Sequence, residues 1–95
     1  MPEKLTDEQV KQALQTLPGW VYEEGSIRKQ FSTSSFPATM GFVTALGGFC
    51  QRRNHHPDYV LMKFKVVEVS FSTHSVGGIT QNDIDIASDL EKIPV

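Results

Sequence analysis

The chain has 95 residues, with nine basic and eleven acidic side chains, three histidines and one cysteine, for a net charge of −2. This length suits one domain, residues 1–95, whose modest core buries roughly 60–65% of the surface of the unfolded chain. The near-even charge balance argues against nucleic-acid binding through a basic face, no apolar run approaches the roughly 18 residues of a membrane span, and a lone Cys50 excludes an intrachain disulfide framework.

The opening MPEKLTDEQV is too polar for a signal peptide, so a cytoplasmic location is expected, with a nuclear one compatible. Thr6 and Gln9 have capping-box spacing, and Val10, Ala13, Leu14 and Leu17 recur at helical intervals, predicting a first helix that Pro18-Gly19 stops. Residues 20–23 and 27–31 flank Glu24-Gly25-Ser26, a connection of hairpin length, and predict two short antiparallel strands. Ser34 or Ser35 can cap a second helix with Pro37 in its first turn, an apolar face of Phe42, Ala45, Leu46, Phe49 and Cys50, and an end near Asn54. Two more strands follow within residues 59–74, with a turn near Phe64-Lys65-Val66; in the second, Val67, Val69 and Phe71 share one face. Thr80 with Asp83 caps a third helix, stapled by Ile79 and Ile84 and continuing through Ala87 and Leu90. The order α-β-β-α-β-β-α implies an α+β fold, a four-stranded antiparallel sheet with three helices packed on one face. Residues 27–31 could then occupy a sheet edge and pair with a second copy.

Chemistry concentrates in the histidines. With the second helix running to Asn54, Gln51 and His55 are four residues apart and share a face, while His56 points about 100° away or leaves the helix. His74 follows the fourth strand with parity opposite to its core residues, and three imidazoles surround one cleft if that loop meets the end of helix two. Imidazole titrates near neutral pH, so such a cluster suits giving one proton and taking another. Zinc held by three histidines is the rival, disfavoured because adjacent helical residues diverge, whereas helical ligand pairs come at i, i+4. No G-x-S-x-G, phosphate-cradling glycine loop or C-x-x-C supports hydrolysis by a nucleophile, nucleotide binding or thiol redox work.

The run Asn54-His55-His56-Pro57, an aromatic at Phe64, then Ser72-Thr73-His74, Gly78-Ile79-Thr80 and Asp83, with "LPGW" and "IRKQF" upstream, resembles the signature of the pterin-4a-carbinolamine dehydratases, also called the dimerisation cofactor of the hepatocyte nuclear factor. The resemblance implies a lyase that dehydrates 4a-hydroxytetrahydropterin to quinonoid dihydropterin in tetrahydrobiopterin recycling, with pterin as substrate and neither cofactor nor metal. It implies catalytic roles for His55, His56 and His74, the first and last at the proton transfers and His56 against the pterin, with the division of acid and base left open. Substrate-binding roles fall to Gln51, Pro57, Thr73 and Asp83, the last doubling as capping partner of Thr80. Gln51 departs from the usual family glutamate, so a slower reaction or a lower pH optimum is expected, and Gln51→Glu should raise activity near neutral pH. The resemblance further implies a homodimer or homotetramer, and admits as alternative a non-catalytic binding module or transcriptional coactivator that docks on a transcription factor's dimerisation helices.

Overall fold

Local side-chain chemistry starts each helix in the computed structural model, which describes residues 2–95. At α1 (Asp7–Leu14) the Thr6 hydroxyl accepts from the Gln9 amide and the Gln9 side chain accepts from the Thr6 amide. At α2 (Phe36–Arg53) Ser35 Oγ accepts from the Ala38 amide, and Pro37 sits where no amide hydrogen is required. At α3 (Gln81–Leu90) Thr80 and Asp83 repeat the capping box.

The first helix is shorter than its apolar spacing predicts. It ends at Leu14, and Leu17 reaches the core from the turn that follows, which shows that burial at helical spacing does not require a continued helix. Trp20 likewise precedes β1 (Val21–Glu23) and is buried, its Nε1 donating to Glu91 at 2.9 Å. Glu24 (φ 52°) and Gly25 (φ 75°) turn β1 into β2 (Ser26–Ser32); positive φ at both positions matches the twist of a two-residue hairpin.

The sheet runs β1-β2-β4-β3, antiparallel throughout, with β3 at Tyr59–Met62 and β4 at Val66–Phe71. Residues 27–31 therefore lie inside the sheet and not at an edge, since β2 is paired on both sides; the edges are β1 and β3. The β3–β4 connection spans residues 63–65, and Val66 belongs to β4. Three helices and a four-stranded antiparallel sheet in the order α-β-β-α-β-β-α are what the sequence implied.

One sheet face carries Ile27, Phe31, Val67, Val69 and Phe71, packed with Phe42, Leu46 and Cys50 of α2 and Ile86, Ala87 and Leu90 of α3. Each large side chain so buried contributes about 1.5–3 kcal/mol relative to exposure. Phe31 lies 5.9 Å from Trp20, edge to face, and 4.7 Å from Phe42. The opposite face carries Gln30, which donates to Glu68 at 2.8 Å. Arg53, at the end of α2, pairs with Asp89 and lies 3.8 Å from Asp85, tying α2 to α3. Among the described residues no helix is long and apolar enough to cross a membrane.

Two chain breaks next to this core set up the site. Asn54 adopts a left-handed conformation (φ 51°) that ends α2. Beyond β4, Thr73 forms an isolated bridge with Gly78, closing a short turn at 74–77 in which Gly77 takes φ 65°.

Candidate active site

The left-handed Asn54 is an alternative to glycine at a helix C-terminus, and it sends the chain off the α2 axis while the His55 amide donates back to the Cys50 carbonyl at 3.1 Å. His55 is consequently not helical, and its four-residue spacing from Gln51 does not put the two on one face. Gln51 is exposed on α2, whereas the His55 ring turns inward, 6.2 Å from Phe71 and nearly parallel to it. The expected Gln51–His55 contact is replaced by one to Asp83, whose Oδ1 lies 2.5 Å from His55 Nε2.

Asp83 is fully buried, and a buried carboxylate must have every available lone pair engaged or suffer a large desolvation penalty. Its Oδ2 accepts from the Thr73 hydroxyl at 2.8 Å and from the Thr80 amide at 2.9 Å, while Oδ1 accepts from His55. Thr73 Oγ1 is also 2.9 Å from Thr80 Oγ1. Asp83 thus caps α3 and buttresses His55 together, and it lies behind the imidazole, not among the residues that line the cleft.

His74 opens the 74–77 turn and is the converse case, with its side chain 80% exposed. Its Nε2 donates to Asp58 Oδ1 at 2.8 Å. Asp58, which the sequence reading did not single out, accepts from Ser72 (2.6 Å) on the same oxygen and from Ser70 (2.8 Å) and Ser26 (3.1 Å) on the other. Partial burial pushes its carboxyl pKa up, but hydrogen bonds from Ser72, His74, Ser70 and Ser26 together outweigh that and hold it below the ordinary value. The available signal was a carboxylate directly after His55-His56-Pro57, with serines at alternate positions 70 and 72 of one strand.

These elements meet around one open cleft of about 270 Å³, lined by residues 54–57 from one side and 72–75 from the other. All three imidazoles border it, as do Pro57 and Thr73. His56 is exposed and makes no side-chain hydrogen bond among the described residues. For His55 and His74 the Nε2 atoms are committed to carboxylates, which leaves Nδ1 of each without a hydrogen-bond partner among the described residues. Two fixed imidazoles and one free one beside a small cavity can deliver a proton to one atom of a heterocycle and withdraw one from another. Among the described residues no group of three His, Cys, Asp or Glu side chains is arranged to hold a metal ion.

The chain matches a family model described as pterin 4 alpha carbinolamine dehydratase over residues 3–93. It is 38% identical over 93 residues to an Aquifex aeolicus protein called "Putative pterin-4-alpha-carbinolamine dehydratase", covering 98% of this chain and 93% of that one. A Nocardia farcinica protein of the same name is 37% identical over 91 residues, covering 96% and 95%. The crystal structure of a transcriptional coactivator/pterin dehydratase from Brucella melitensis superposes with a TM-score of 0.90 at 28% identity, over 98% of this chain and 100% of that one. A pterin dehydratase-like RuBisCO assembly factor of the alpha-carboxysome shares the fold, with a TM-score of 0.66 at 16% identity over 78% and 84%.

Proposed function

The chain belongs to the pterin 4 alpha carbinolamine dehydratase family, and on that premise we propose that it is a hydro-lyase dehydrating 4a-hydroxytetrahydropterin to quinonoid dihydropterin, in tetrahydrobiopterin recycling. In this reaction a proton goes to the departing 4a-hydroxyl, the C4a–O bond breaks, and the N5 proton leaves as N5 and C4a become doubly bonded. Water and quinonoid dihydropterin are the products. An acid and a base must therefore bracket one bicyclic ring.

The observation that carries this reading is the convergence of His55 and His74, distant in the chain, on one cleft, each with Nε2 held by a carboxylate and Nδ1 without a partner among the described residues. His55 and His74 exchange the two protons, and His56, exposed at the rim, contacts the pterin. Pro57 and Thr73 shape the binding surface, and Asp83 orients His55 from behind. Gln51, exposed on α2, has a peripheral part at most.

A second reading, a coactivator-type binding module, is favoured by the Brucella relative's description and by exposed apolar side chains at Phe36, Met40 and Phe64. The same surfaces would serve a homodimer or homotetramer, read out by light scattering in solution. The deciding assay generates 4a-hydroxytetrahydropterin in situ with an aromatic amino-acid hydroxylase and follows its decay. Acceleration by the chain, lost in His74→Ala, is the expected result; decay at the spontaneous rate with the native chain would leave the binding module ahead.

A further inference from the structure

We propose that Asp58 is the positioning residue of His74: its carboxylate accepts a hydrogen bond from Nε2–H, thereby fixing both the plane of the ring and the tautomer in which Nδ1 is the unprotonated nitrogen offered to the cleft. The role at the reaction rests on the dehydratase reading, whereas the pairing itself does not.

His74 has little else to hold it. It stands in a surface turn, most of its side chain is in water, and Asp58 is its sole side-chain hydrogen-bond partner among the described residues. An imidazole so exposed would otherwise sample several rotamers and both neutral tautomers. Asp58 is held from several directions. Its amide donates to the Ser70 carbonyl at 2.7 Å, and its carboxylate collects hydroxyls from the start of β2 (Ser26), from β4 (Ser70) and from the segment just beyond it (Ser72). With two hydrogen bonds on each oxygen the carboxylate cannot turn without breaking several of them. The rigidity of the sheet is thus transmitted to a ring outside it.

The donors around Asp58 are neutral hydroxyls, and no lysine or arginine bonds to it among the described residues. The cation that forms when His74 takes a second proton therefore faces a carboxylate with no other cation hydrogen-bonded to it. A purely structural Asp58 would need only the serines. The fourth bond, to an exposed imidazole bordering the cleft, is what a structural tie does not require.

Nitrogen-15 NMR of the labelled native chain, at a pH where His74 is neutral, should find it almost wholly protonated on Nε2. In Asp58→Asn that preference should weaken, because an amide can donate to Nε2 as readily as accept from it. In the dehydration assay kcat of Asp58→Asn should fall roughly 10- to 100-fold, with KM within about twofold. Asp58→Glu should restore the Nε2–H tautomer and much of kcat. A native His74 that mixes tautomers or prefers Nδ1–H would overturn the proposal whether or not any variant folds. So would a folded Asp58→Asn chain with an unchanged tautomer and kcat. If the native chain shows the expected tautomer but no turnover, the dehydratase reading fails while the pairing stands.

Discussion

His55 meets Asp83 inside the protein, and His74 meets Asp58 at its surface. The inner pair is embedded in what holds the fold together: Asp83 also caps α3 and satisfies the Thr73 hydroxyl, and His55 packs along Phe71. The outer pair hangs from the sheet by serine hydroxyls, and its imidazole contributes no core contact. Two groups of the same chemistry are therefore coupled to stability to very different degrees. Damage to the inner pair should register in folding and turnover together, and loss of the outer imidazole in turnover alone.

His74 offers the largest expected effect and the most direct way to break this contrast. His74→Ala should lower dehydration by about 10²- to 10⁴-fold while its urea midpoint reports a stability change within about 0.5 kcal/mol. A large loss of stability would mean that the surface turn is part of the core after all. Asp83→Ala comes next. It strands the Thr80 amide and His55 Nε2 in the interior and leaves the Thr73 hydroxyl only Thr80 Oγ1, so a loss of about 3 kcal/mol is expected. For a chain of this size that lowers Tm by roughly 12 °C or more in calorimetry, and activity should fall with it.

Acid sharpens the outer half. The folded-state pKa of Asp58 is lowered, so the stability it confers is complete above the ordinary carboxylate value and is lost as pH falls through the folded value. Urea midpoints of the native chain and Asp58→Asn should be separated at neutral pH and draw together below about pH 4. A gap that persists unchanged into strong acid would show that Asp58 is not held as a carboxylate. The smallest effect is expected at Gln51. Because it is exposed and His55 turns to Asp83 instead, Gln51→Glu should alter kcat/KM by about twofold or less, in place of the clear rise that a Gln51–His55 contact would give. A marked rise near neutral pH would restore that contact.

What could be read from the sequence follows the range of the interactions. The capping pairs Thr6/Gln9 and Thr80/Asp83, the proline in the first turn of α2 and the alternation in β4 are contacts within a few residues, and each appears where the spacing put it. Leu17 misled because an apolar residue at the right interval can reach the core from a turn as well as from a helix. Gln51 misled because Asn54 takes the left-handed conformation, which ends the periodicity one residue before His55. Asp58 is marked in the sequence only by its place after His55-His56-Pro57, and its role is hidden for a different reason. Its partners Ser26, Ser70, Ser72 and His74 are brought to it by the pairing of β3 with β4 and of β4 with β2, and no local pattern encodes such a register.

The bridge at the base of the 74–77 turn carries a consequence for variation. Thr73 and Gly78 pinch the segment shut, with the Thr73 amide donating to the Gly78 carbonyl at 2.7 Å and the Gly77 amide donating back to Thr73. Gly77 needs its positive φ, and a side chain at position 78 would displace the Lys4 side chain that now lies against it. Ser75 and Val76 carry neither restriction, and Ser75 borders the cavity. Drift at these two positions could reshape what the hollow admits while the surrounding scaffold stays untouched, which makes them the natural start for a library aimed at altered ligand preference.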